Sequence, residues 1–112
     1  MNDLNEFMAT EVMGWTLGKS VHHIYQPSTW FENNIVKMNY KYWHPTEDMN
    51  QAMMCADKLE LESITLMAID MNGDYNVIME LINGKYYYGT SKTGRAEAIC
   101  DAVRDVREGN DE

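Results

Sequence analysis

Ser63-Ile64-Thr65-Leu66-Met67-Ala68-Ile69-Asp70-Met71-Asn72-Gly73-Asp74-Tyr75-Asn76-Val77-Ile78-Met79-Glu80-Leu81-Ile82-Asn83-Gly84-Lys85-Tyr86-Tyr87-Tyr88-Gly89 decides the fold. Asn-Gly between apolar runs is a strong hairpin signal. Two such turns predict three antiparallel strands, Ser63 to Asp70, Tyr75 to Ile82 and Lys85 to Gly89. Both parities of the first two strands are apolar: Ile64, Leu66 and Ala68 against Met67 and Ile69, then Val77, Met79 and Leu81 against Ile78 and Ile82. A sheet that is apolar on both faces needs cover on both.

Three helical stripes flank this meander. Leu4, Phe7, Met8 and Val12 recur at helical spacing, so a first helix is expected from Asp3 to about Met13. Pro45-Thr46-Glu47-Asp48 reads as a capped start, and Met49, Ala52, Met53, Ala56 and Leu59 continue a second helix to about Glu60. Ala96, Ile99, Val103 and Val106 form the stripe of a third, which follows Ser91-Lys92-Thr93 and ends near Glu108. Residues 16–34 read as a long loop punctuated by Gly18, Pro27 and Ser28. Ile35 to Trp43 reads as an extended stretch or edge strand, and 109–112 as a polar tail. The fold class expected is therefore α+β: one domain over 1–112, an α-β-α sandwich with a three- to four-stranded antiparallel meander covered by three helices.

The chain of 112 residues can bury roughly two-thirds of its unfolded surface, enough for one core without staples. Cys55 and Cys100 fall within predicted helices, so both are expected buried and unbridged. Asp3 and Glu6 stand where a secretory leader would carry positive charge, and no apolar run approaches the roughly 20 residues of a membrane span. A protein of the host-cell cytoplasm with no membrane contact is expected. The net charge of −9 repels phosphate backbones and argues against direct nucleic-acid binding.

Catalytic and metal-binding patterns are weak. A reactive thiol needs a helix N-terminus or a cationic neighbour; Cys55 falls mid-helix and Cys100 about two turns into its helix, both on or beside apolar stripes. His22 and His23 are adjacent and His44 stands alone, with no Cys-x-x-Cys or His-x-x-x-His spacing. No catalytic residue, metal ligand or cofactor is therefore assigned, and the protein is expected not to be an enzyme. Ser91, Lys92, Thr93 and Arg95 at the third helix start could hold an anion or nucleotide phosphate, although they lack the glycines of a phosphate loop. The same residues read first as a capping segment, and the anion site stands behind that reading.

Three further segments resemble a known family. Val12-Met13-Gly14-Trp15 closes the first helix, Pro45-Thr46-Glu47-Asp48-Met49-Asn50-Gln51-Ala52 opens the second, and Ala96-Glu97-Ala98-Ile99-Cys100 lies in the third. Together they resemble the phage ABA-sandwich domain, a family of small phage and prophage proteins. The resemblance implies an α-β-α sandwich and, joined to the acidic charge, a protein that binds and modulates a host protein. Inhibition of antiviral defence, in the manner of an anti-CRISPR protein, is one such role. The partner expected is a host protein with a basic surface. Candidate contact residues are Asp3, Glu6 and Glu11 of the first helix, Glu47, Asp48 and Asp57 of the second, and the aromatics Tyr42, Trp43 and Tyr87. The first helix has no basic residue, and residues 46–62 carry five acids against Lys58 alone. The alternatives are a nucleotide or small-anion binder using Ser91 to Arg95, and a homodimeric accessory protein paired through the meander edge.

Overall fold

The computed structural model describes residues 3–18, 29–33 and 35–109. The chain is α+β; the described residues form three α-helices and two three-stranded antiparallel sheets. The first sheet is β1 (Thr16–Gly18), β2 (Thr29–Glu32) and β3 (Ile35–Asn39); the second is β4 (Leu61–Leu66), β5 (Tyr75–Leu81) and β6 (Tyr86–Ser91). The helices are α1 (Asp3–Phe7), α2 (Met49–Ala56) and α3 (Arg95–Glu108).

The expected meander is present in the expected order. Both hairpins close with three-residue loops. Gly84 N–H donates to the Leu81 carbonyl and Leu81 N–H to the Lys85 carbonyl; Gly73 and Asp70 repeat the arrangement with Asp70 and Asp74. Only the glycine of each Asn-Gly pair takes positive φ, 81° at Gly73 and 89° at Gly84. That is the three-residue hairpin ending in a left-handed glycine, with the asparagine in an ordinary turn conformation.

Strand β4 begins two residues earlier than its sequence pattern indicates. A bulge at Glu62 shifts the register between Leu61 and Ser63, after which Ile64 pairs with Met79 and Leu66 with Val77. The hairpin runs on past β4, because Met67 N–H donates to the Asn76 carbonyl and Asp70 N–H to that of Asp74.

Helix α3 covers one face of this sheet. Val77, Met79, Tyr87 and Gly89 are buried beneath it, as are Ala98, Ile99, Cys100, Ala102 and Val103 of the helix. A side chain at Gly89 would run into the Ala98 carbonyl and the Ala102 amide, so helix and strand touch backbone to backbone. Helix α2 packs against α3 through Ala52, Cys55 and Ala56, and both cysteines are buried and unbridged. The opposite face of β4–β6, expected to lie under a helix, is open: Thr65, Tyr86, Tyr88 and Thr90 are exposed there.

Three further departures concern the first helix, the 16–34 segment and the end of α2. The first helix widens into a π-helix at Met8–Val12, with Met13 N–H donating to the Met8 carbonyl at 2.9 Å. The wider turn keeps Met8, Ala9, Val12, Met13 and Trp15 in one core, where Trp15 lies 4.6 Å from Trp43 between ring centroids. The segment read as a loop over 16–34 contains β1 and β2, whose three- and four-residue lengths are too short for alternation to register; residues 19–28 and 34, including His22 and His23, lie outside the described set. Helix α2 ends at Ala56 rather than Glu60.

Candidate partner-binding surface

Asn5 organises the acidic end of the molecule. It lies on the same helical face as Met8, Ala9 and Val12 and is buried with them. A buried amide must find partners. The Asn5 carbonyl accepts from Trp43 Nε1–H at 2.8 Å, and its side-chain Oδ1 accepts from Thr46 N–H at 3.0 Å. These two bonds hold the 43–46 segment against the first turn of α1. Gln51 braces the same segment: its Oε1 accepts from His44 N–H at 2.7 Å and its Nε2 donates to the Tyr42 carbonyl at 2.8 Å.

Asp3 and Glu6, within two residues of Asn5, and Glu47, next to Thr46, are therefore brought to one junction, all exposed. Glu11 continues the exposed acidic side of the same helical segment. No ion-pair partner exists for these four carboxylates among the described residues. The other two acids do different work. Asp48 is the N-cap of α2, accepting from Gln51 N–H at 3.0 Å. Asp57 sits at the C-terminal end of α2 and lines an open cleft of about 290 Å³ with Met13, Trp15, Glu32, Lys37, Met54 and Lys58. Within that cleft Glu32 and Lys37 pair at 3.3 Å, so its charges balance locally.

The aromatic candidates divide. Tyr42 is 58% exposed, with the Lys41 ammonium 5.1 Å from its ring centroid. Trp43 and Tyr87 are 1% and 5% exposed and belong to the core, which corrects the expectation that they face a partner. The 3-10 turn Tyr40–Tyr42 breaks the alternation of β3 and swings Trp43 inward to Trp15 and Asn5. Tyr87 takes the α3 side of its strand, while Tyr86 and Tyr88 take the open side.

The alternative anion site is filled by the chain itself. Ser91 Oγ–H donates to Glu97 Oε1 at 2.7 Å and Thr93 Oγ1–H to the same oxygen at 3.1 Å. Ser91 Oγ also accepts from the amides of Thr93 and Gly94. Lys92 is paired with Asp74 at 2.9 Å, and the Arg95 guanidinium lies 6.0 Å from the Tyr75 ring centroid. Glu97, in the first turn of α3, thus occupies the place a bound anion would take. Ser91 and Thr93 thus close a turn that leads into α3, whose N-cap, Gly94, has no side chain to bond the first helical amides.

Asn5, Gln51 and Glu97 were not singled out by sequence reasoning. Asn5 had a signal: an amide at i, with Met8, Ala9 and Val12 at i+3, i+4 and i+7. Gln51 and Glu97 had none, since their partners are fixed by tertiary packing. Among the described residues no group of three or more histidine, cysteine, aspartate or glutamate side chains is placed to hold a metal ion. No helix among them is long and apolar enough to cross a membrane.

The phage ABA sandwich domain matches residues 6–103. The chain belongs to that family. The match runs from the first helix through most of α3, spanning both sheets. No curated protein and no solved structure matches the chain.

Proposed function

We propose that this phage-domain protein binds a host protein with a basic surface, through the acidic junction of α1 and the 43–47 segment, and that it acts by binding rather than by catalysis. The observation that carries the reading is the exposure of Asp3, Glu6, Glu11 and Glu47 without neutralising partners among the described residues. Exposed carboxylates without such partners leave a negative surface that a basic partner can neutralise on docking. Such a surface also steers a basic partner into encounter. Tyr42 at the margin offers the rigid aromatic contact that charge alone lacks.

Many basic surfaces in a host cell belong to proteins that handle nucleic acid. The defence-inhibitor role follows from this: an acidic phage protein that covers a nucleic-acid groove competes with the natural ligand. Direct contact with nucleic acid is no part of the proposal, because the net charge of −9 opposes it. The nucleotide-binding alternative is disfavoured because Glu97, Asp74 and Tyr75 already engage its four residues. Association measured against salt tests the proposal. Exposed charges interact over a Debye length of about 10 Å at 0.1 M and about 3 Å at 1 M, so partner binding should weaken steeply across that range.

A further inference from the structure

Strand β4 is the outer strand of its sheet, and among the described residues no strand pairs with its free side. Met67 N–H donates inward to the Asn76 carbonyl. Inward and outward bonding alternate along an antiparallel ladder, so Thr65 bonds inward with Met67, while Ile64 and Leu66 turn their N–H and C=O groups outward. Short length, charged side chains and proline ordinarily protect such an edge. The other edges are guarded: the Asp101 carboxylate accepts from Thr90 N–H of β6 at 3.0 Å, β3 carries Lys37, and β1 is three residues long. Strand β4 has only the bulge at Glu62, and residues 59–84 contain no lysine, arginine or proline. Leu66, Met67 and Ile69 are 43%, 43% and 51% exposed and flank the free edge with apolar side chains.

We propose that the free edge of β4 binds an extended peptide segment by strand addition, and that this segment is apolar along its length with lysine or arginine at its ends. The surface is separate from the α1 junction. Main-chain hydrogen bonds to Ile64 and Leu66 hold the segment, and its side chains lie beside Leu66 and Met67. Charge selects the occupant. Glu60 and Glu62 are exposed at one end of β4 and have no ion-pair partner among the described residues. Asp70 stands at the other end, and residues 59–84 as a whole carry Glu60, Glu62, Asp70, Asp74 and Glu80 with no basic residue. A cationic end on the incoming strand meets these carboxylates, whereas an acidic end is repelled. A second copy fits poorly for the same reason: antiparallel pairing about Leu66 sets Glu62 opposite Asp70 at both ends.

Fluorescence anisotropy of a labelled peptide, titrated with the full chain in 0.05 and 0.5 M NaCl, tests the proposal. The probe alternates valine and threonine and carries two lysines at each end, which serves either strand direction. It should bind, and binding should weaken several-fold at the higher salt as the charges are screened. Amide shifts in 1H–15N spectra should centre on Ile64 and Leu66. Two control peptides separate strand addition from general attraction to an acidic protein. Glutamates in place of the lysines, or prolines in place of the valines, should each weaken binding by about tenfold or more. Glu60→Lys/Glu62→Lys, at two exposed positions, should weaken binding of the lysine peptide by about fivefold or more with circular dichroism unchanged. Leu66→Pro removes an outward N–H rather than a ladder bond and should abolish binding. No binding of the lysine peptide at 1 mM chain would overturn the proposal. So would equal binding of either control peptide, indifference to the substitutions, or shifts centred away from β4. Self-association of the free chain through the same amides would assign the edge to a second copy and overturn it as well.

Discussion

Gly89 of β6 and Ala98 of α3 meet with no side chain between them: a Cβ on Gly89 would fall on the Ala98 carbonyl oxygen. This contact sets the distance between helix and sheet, and Ala102 beside it keeps the approach equally close. Backbone atoms cannot rotate aside as a flexible side chain could. Gly89→Ala should therefore destabilise the protein by about 3 kcal/mol or more, at the upper end of overpacking costs. Thermal unfolding checks it, with a Tm lowered by about 10 °C or more expected for a domain of this size. An unchanged Tm would mean that α3 sits higher above the sheet.

Asn5→Ala should remove the acceptor of the Thr46 amide while leaving the Trp43 bond, which goes to the Asn5 main chain. A buried donor left unsatisfied costs about 1–3 kcal/mol. The urea midpoint should fall accordingly with the slope of the transition unchanged.

The thiols should be nearly inert. Burial pushes Cys55 up to about 12. Cys100 is raised further, first by burial and then by Cys55, Glu97 and Asp101. Only the thiolate attacks, so Ellman's reagent at pH 8 should react slowly with the folded protein and with two equivalents in urea. Immediate reaction of both thiols without denaturant would contradict the packing of α2 on α3.

Asp70 ties the β4–β5 turn together. Its Oδ1 accepts from the Asn72 and Asp74 amides and its Oδ2 from Asn76 Nδ2–H. These bonds, the Asp74 amide first, hold its carboxyl below the usual 3.8. A depressed folded-state value stabilises the protein above the unfolded value, and that stabilisation is lost as pH falls through the folded value. The Tm difference between wild type and Asp70→Asn should be constant from pH 7 to about pH 5 and shrink below 3.8. A difference that persists at pH 2 would assign the effect to turn geometry rather than charge.

Much of this was legible from local pattern. The two Asn-Gly turns located both hairpins, and the apolar stripes located the helices and both buried cysteines. What escaped depended on contacts distant in sequence. Alternation paired Tyr86 with Tyr88 against Tyr87 but did not say which side α3 would take. Trp43 looked like a surface aromatic because nothing nearby announces its bond to Asn5, 38 residues away. The Ser91-to-Arg95 segment offered donors for an anion, and Glu97, two residues on, supplied one. The exposed acids of the first helix were legible as a charge imbalance; the docking of the 43–46 segment against that helix depends on Asn5.

The central claim concerns that acidic junction. Affinity capture from a host lysate should be run with the wild-type chain and with Glu6→Lys/Glu11→Lys/Glu47→Lys, at 0.1 and 0.5 M NaCl, with retained proteins identified by mass spectrometry. All three positions are exposed, so the fold should tolerate the changes. The account predicts that a basic protein is retained by the wild type at 0.1 M, is released at 0.5 M, and is not retained by the triple variant. Retention of the same partner by both chains, indifferent to salt, would contradict it.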